Sequence, residues 1–210
     1  MIVYSSDVVS GRPYVLSFLE KMKLSNPKSR VLDVGGVADS WADDYVDVYL
    51  DFSKGNKVIR GDVCLPDVWN KLDGEIFDFV ICSHLLEDVR DPLFVATKIW
   101  QHGRQGSVAV PNKHTEMMFY EGQTYVGYCH HRWIFTLKND LLYALPKHAV
   151  CSQFSKSEYH QLLTWLDREK VSGELFAHWQ DSFLIKIDDY PAPNCDSLLL
   201  KYVEDLKEGL

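Results

Sequence analysis

Imidazoles and carboxylates gather at three places in this chain. In "SHLLEDVRDP", Glu87 and Asp88 follow His84 by three and four residues, a spacing that one helical turn would fold onto one face. In "GYCHHRWIF", His130 and His131 are adjacent and Trp133 stands just beyond them. His114 and Glu116 form the third group. Imidazole titrates close to neutral pH, so a positioned ring can take the proton of an alcohol as a new bond forms to its oxygen. The expected catalytic set is therefore His84, His114, His130 and His131, one of them a general base. The competing readings are a metal site around His84, loop histidines satisfied by backbone, and a solvated His114–Glu116 loop. Phe119, Tyr120, Tyr125, Tyr128 and Trp133 are expected to wall a pocket with rings that offer apolar faces and polar edges, which suits a sugar as well as a phenol, the alternative being that they fill the underside of a lid.

A second kind of chemistry lies upstream, in "RVLDVGGVADSW" (Arg30 to Trp41). A short apolar run ends in Gly35 and Gly36, where backbone can approach a ligand closely. A dinucleotide loop needs G-x-G-x-x-G, but here Gly35 and Gly36 are adjacent, Val37, Ala38, Asp39 and Ser40 follow, and no third glycine arrives. Asp39, Asp43 and Asp44 would oppose a pyrophosphate, and no Gly-Lys-Ser or Gly-Lys-Thr follows to make a P-loop. The loop thus favours a ligand without phosphate. Asp51, 15 residues after Gly36, closes the next strand where a carboxylate can hold both hydroxyls of a ribose. Asp62 closes the third strand, in reach of an adenine amino group.

These groups need a scaffold that brings them to one edge. "PYVLSFLEKMKL" spaces its apolar residues as an amphipathic helix with Pro13 in the first turn, within an N-terminal helical segment over 1–29. "RVLDVGG", "VDVYLDF", "KVIRGDV", "IFDFVICS" and "GSVAVPN" read as strands, the fourth as a buried central one. "PDVWNKL" and "DPLFVATKIWQHG" read as helices between them, the second capped by Asp91 and stopped by Gly103. The alternation indicates βαβ units and a mainly parallel sheet with its ligand crevice at the carboxyl ends of the strands. Residues 113–135 read as a lid or acceptor loop over that crevice. "LKNDLLYALPK" and "KSEYHQLLTWLDRE" read as helices. "SGELFAHWQDSFLIKID" reads as two strands joined by a tight turn at Gln180–Asp181, and "CDSLLLKYVEDLKEGL" as a final helix.

Composition narrows the partner. The chain has 210 residues, suited to one domain over 1–210, and a formal charge of −8 that would repel a phosphate backbone. Nucleic acid is therefore not expected, and a small acceptor is. Five scattered cysteines without a C-x-x-C pair argue against a disulfide framework and a structural zinc site. No apolar run reaches 18 residues and "MIVYSSDVVSGRPY" lacks a signal-like start, so the expected setting is cytoplasmic, without membrane contact.

Taken together, "VLDVGG", Asp51, "RGD" and "FDFVICSHLLEDVRDP" resemble the class I S-adenosylmethionine-dependent methyltransferases, in particular their small-molecule, O-methyltransferase-like branch. The resemblance runs from about Arg30 to Asn112. Its most specific part is the block around the fourth strand, with Phe77, Asp78, Val80, Leu86, Glu87, Val89, Asp91 and Pro92 all in place. His131 and Trp133 are similar to an H-x-W element of some of these enzymes. The resemblance implies an α/β fold, a Rossmann-like three-layer sandwich whose seven-stranded, mainly parallel sheet has an antiparallel strand near the C-terminus. It implies S-adenosylmethionine as cofactor, held by Asp33, Gly35, Gly36, Asp51, Phe52, Asp62, Val63, Ser83 and His84. Because Glu87 belongs to the family's structural block, no metal is expected. The implied reaction is methyl transfer to a hydroxyl of a small molecule, a sugar or glycan before a phenol or quinone ring. Val37 and Asp39, standing where glycines are usual, motivate the alternative of a non-catalytic binding protein with the same fold.

Overall fold

The structure is a computed structural model that describes residues 1–6, 11–36, 44–47, 58–72, 74–118, 126–148, 173–187 and 204, with backbone alone at 44–47 and 58. In chain order its elements are β1 (Ile2–Ser6), α1 (Gly11–Ser25), β2 (Val31–Val34), β3 (Asp44–Asp47), β4 (Val58–Arg60), α2 (Pro66–Asn70), β5 (Phe79–Ser83), α3 (Pro92–Gln101) and β6 (Gln105–Pro111). There follow α4 (Lys113–Glu116), β7 (Trp133–Lys138), β8 (Leu141–Pro146), β9 (Glu174–Gln180) and β10 (Ile185–Ile187).

Five strands in the order β4-β3-β2-β5-β6 run parallel. β9 joins β6 antiparallel, and β1 pairs antiparallel with the far side of β9. Strand residues alternate between two apolar faces. Val31, Phe79, Ile81 and Ala109 pack with Val15 and Leu19 of α1. Leu32, Val80, Cys82 and Val108 pack with Val68 and Trp69 of α2 and with Val95 and Ile99 of α3. Helices on both faces of a mainly parallel sheet make a mixed α/β arrangement. From β2 the chain moves outward to β3 and β4, then returns to β5 on the other side. That reversal opens a crevice at the carboxyl ends of β2 and β5.

α3 begins as the sequence indicates, with the Asp91 carboxylate accepting from Phe94 N–H at 2.9 Å. It ends at Gln101 with His102 as its cap, one residue before Gly103. Three expectations are corrected. Leu137–Lys147 is not a helix but most of a hairpin, in which β7 and β8 pair through a two-residue turn at Asn139–Asp140. Both turn residues lie in the left-handed region, at φ 50° and 59°, the conformation of a type I′ turn and one that Asn and Asp tolerate. β9 and β10 do not form a hairpin, because β10 leaves the main sheet and pairs parallel with β8, giving a second sheet β10-β8-β7. The N-terminal segment is not wholly helical, since Ile2–Ser6 is a strand. The expected helix over 156–169 lies outside the described residues, as does all of the C-terminal helix except Glu204. No helix among the described residues is long and apolar enough to cross a membrane.

Candidate functional site

β2 delivers Asp33, buried near the carboxyl end of its strand, and then turns at Gly35 with φ +87°. A Cβ on Gly36 would lie 2.6 Å from Asp33 Oδ2, so the carboxylate folds directly over bare backbone. A Cβ on Gly35 would stand 3.2 Å from the Leu85 side chain. The β2–β5 register ends with Val34 opposite Cys82, so the Gly35 turn and Ser83 follow at the same edge of the sheet.

His84 leaves the end of β5 in a left-handed conformation, φ 51°, with its N–H donated to Ala109 O at 2.8 Å. Its ring lies between two carboxylates, Nδ1 at 3.3 Å from Glu87 Oε1 and Nε2 at 3.3 Å from Glu174 Oε2. Hydrogen bonding to Glu174 and then Glu87 raises its pKa to about 10, against the opposing effect of burial. At neutral pH His84 is an imidazolium, a donor rather than a base. The other Glu174 oxygen accepts from Gly11 N–H at 2.7 Å and so ties α1 to this corner.

Two cavities meet at His84 and Glu174. One, of about 300 Å³, lies beneath the start of α1 and is lined by Gly11, Arg12, Ser83 and Ser107. The other, of about 450 Å³, is lined by Glu87, Asp88, Thr115, Tyr128, His130 and His131. The structure therefore brings His84, His130 and His131 to one cavity. Asp88 Oδ1 is 3.7 Å from His131 Nε2 and 3.8 Å from His130 Nε2. Burial, and then the Glu87 charge, raise the Asp88 pKa. His131 Nδ1 lies 2.6 Å from Glu116 Oε1, and Lys147 Nζ lies 2.8 Å from Glu116 Oε2. Burial disfavours the charged form of His131, but Glu116 outweighs it and the pKa rises.

His114 and Glu116 are buried on α4 rather than set in a solvated loop. Burial, helped by the charge of Lys113, lowers the His114 pKa from 6.5 to about 4. An unfolded chain then takes up a proton that the folded one refuses, so stability falls with decreasing pH between about 6.5 and 4, by roughly 3 kcal/mol for this group. Urea unfolding of the wild type and of His114→Gln at pH 7, 5.5 and 4.5 measures this. The difference in pH slope between the two isolates His114, and equal slopes would refute the assignment.

The other expected contacts are as follows. Asp62, part-exposed, accepts from Cys64 N–H at 2.8 Å through Oδ1 and pairs with Arg90, which precedes α3, through Oδ2. Val63 is a core residue whose carbonyl accepts from Trp69 Nε1. Trp133 anchors the returning chain, with Nε1 donating to Val89 O at 2.7 Å. Asp51, Phe52, Val37, Asp39, Phe119, Tyr120 and Tyr125 lie outside the described residues. Glu174 and Lys147 were not legible in advance, because the partners of each are remote in sequence and carry no local spacing signal.

No protein-family model matches the chain, and no curated protein matches it. Among solved structures it is similar to the methyltransferase domain of bacterial CtHen1-C, at 9% identity over 82% of this chain and 100% of that one, with a TM-score of 0.46. A methyltransferase in complex with the Haloferax volcanii Trm112 activator is 13% identical over 82% of this chain and 93% of that one, with a TM-score of 0.42. An S-adenosylmethionine-dependent methyltransferase from Listeria monocytogenes is 9% identical over 80% of this chain and 98% of that one, with a TM-score of 0.40. Likeness this distant assigns neither family nor activity.

Proposed function

We propose that this chain is an S-adenosylmethionine-dependent methyltransferase acting on a hydroxyl of a small molecule, a sugar or glycan foremost. The observation that carries the reading is the Gly35–Gly36 turn at the reversal of strand order, with the Asp33 carboxylate packed against it. A carboxylate at that turn suits the amino or sulfonium cation of the cofactor better than it suits a phosphate. Asp33, Gly35, Gly36 and Ser83 would hold the cofactor, together with Asp51 and Phe52. When bound, it supplies an activated methyl group.

The chain's own residues position the acceptor and manage its proton. The two cavities offer Ser107, Glu174, Asp88, His130 and His131 as hydrogen-bonding groups. Those groups suit the hydroxyls of a polyhydroxylated acceptor, and the larger apolar share of the lining suits its carbon faces. His84, held cationic, donates to acceptor oxygens, and His130 or His131 takes the departing hydroxyl proton. Fixing acceptor and base in one geometry supplies much of the rate enhancement.

Calorimetric titration with S-adenosylmethionine and S-adenosylhomocysteine is the first test. One-to-one micromolar binding of both is expected. Absence of heat and of thermal shift with either would overturn the reading and leave a non-catalytic binding protein. Methylation of catechols but of no free or linked sugar would overturn the sugar assignment alone.

A further inference from the structure

The geometry points to a divalent transition-metal site built from Asp88, His130 and His131, on the wall of the 450 Å³ cavity. Their ligand atoms all lie within 4.8 Å of one another. Both Nε2 atoms face one oxygen, Asp88 Oδ1, from 3.7 and 3.8 Å. Those separations exceed a good hydrogen bond. Two donors around a shared ion at about 2.0–2.1 Å stand roughly 3.3 Å apart, so the two imidazole–carboxylate separations need to close by about half an ångström, and the imidazoles turn together by side-chain rotation.

Two further observations separate this arrangement from an ordinary ion pair. The first is the outer support of His131. Its Nδ1 is committed to Glu116 Oε1 at 2.6 Å, which fixes the ring and turns Nε2 toward Asp88. Glu116 is itself held through its other oxygen by Lys147. Gly127, at φ +61°, lets the chain pass over that pair, since a Cβ there would lie 2.7 Å from both Glu116 Oε2 and Lys147 Nζ. A carboxylate that orients a ligating imidazole is the usual outer shell of a metal site. The second observation concerns the carboxylates at this wall. Among the described residues Glu87, 1% exposed and lining the same cavity, has only His84 Nδ1 beside its carboxylate, at 3.3 Å, and Asp88 Oδ1 accepts no hydrogen bond. A dication at the wall answers Asp88 directly.

Two imidazole nitrogens and one carboxylate oxygen suit manganese, iron, cobalt or zinc better than magnesium or calcium. Three protein ligands leave positions open toward the cavity, where water or an oxygen donor of a bound molecule completes the shell. The site stands on its own residues and does not depend on the methyltransferase reading; a bound metal takes both Nε2 atoms and so replaces the base role given above to His130 or His131.

Metal-stripped full-length protein, dialysed and titrated with Co²⁺, Zn²⁺, Mn²⁺ and Mg²⁺, tests it. One equivalent of Co²⁺ is expected to bind with a visible d–d band, and Mg²⁺ far more weakly. His130→Ala, at an exposed position that preserves the fold, and Asp88→Asn should each weaken Co²⁺ binding at least tenfold. Glu116→Gln should weaken it by about 10–100-fold, the usual effect of losing an orienting group. Circular dichroism verifies that each variant is folded, and Cys129→Ala should bind as wild type does. Absence of stoichiometric binding would overturn the site, as would wild-type affinity in Asp88→Asn and His130→Ala or loss of binding in Cys129→Ala. Titrating S-adenosylhomocysteine into the same samples separates the proposals. Metal binding without it supports the site and overturns the methyltransferase reading, while the converse overturns the site.

Discussion

Replacing Glu116 by alanine is expected to lower the unfolding free energy by about 3–5 kcal/mol, the scale of breaking a buried ion pair from one side. Glu116 is wholly buried and answers two donors, His131 at 2.6 Å and Lys147 at 2.8 Å. Alanine removes the carboxylate and leaves Lys147, whose side chain is only 9% exposed, with the Tyr128 carbonyl at 2.8 Å. A carbonyl dipole does not repay the desolvation of an ammonium. For a chain of 210 residues each kcal/mol moves the melting temperature by about 2–4 °C, so the loss is plain in a thermal scan. The double variant Glu116→Leu/Lys147→Met removes both charges and should recover much of the stability, because an apolar pair of similar volume is often no worse than the ion pair. A single variant that loses less than about 1 kcal/mol, or a double variant as unstable as the single, would show that the pair is not the keystone of this corner.

Such a pair explains what the sequence could and could not disclose. Asp91 and Pro92 announce the start of α3 because a cap acts over three residues. The catalytic candidates 84, 130 and 131 stand out because their chemistry clusters within a few positions. Lys147 and Glu116 are 31 residues apart, and Glu174 reaches His84 across 90, so neither contact leaves a local trace. The hairpin at Asn139–Asp140 failed for a different reason. Leu137, Leu141, Leu142 and Leu145 recur at helical spacing, yet β8 buries Leu142 and Ala144 in the common core on a strand's alternation. A short apolar run does not decide its own period, and here the turn chemistry overrode the leucine spacing. β1 was hidden because only Ile2 of its five residues is buried, and its partner β9 lies at the other end of the chain. The parallel strands were easier, since burial on both faces gives continuous apolar runs that need no knowledge of the partner.

The glycine turn was the part of the site most legible in sequence, and it carries the second large effect. Gly36→Ala is expected to weaken S-adenosylhomocysteine binding by about 10–100-fold, corresponding to about 1.4–3 kcal/mol, the scale of losing a hydrogen bond to a charged group. The added methyl would stand 2.6 Å from Asp33 Oδ2, 2.7 Å from Cγ and 3.0 Å from Cβ. The whole side chain, not only its tip, must give way, and Asp33 is only 8% exposed, with little room to do so. Two costs are mixed in that variant, the steric one at the turn and the electrostatic one at the carboxylate. Asp33→Asn separates them, because it keeps the shape and removes the charge. If both variants lose affinity, the carboxylate contacts the cofactor cation. If only Gly36→Ala does, the turn binds through bare backbone and Asp33 merely shapes it. Wild-type affinity in both would remove the cofactor from the β2 turn, and with it the observation on which the proposed activity rests.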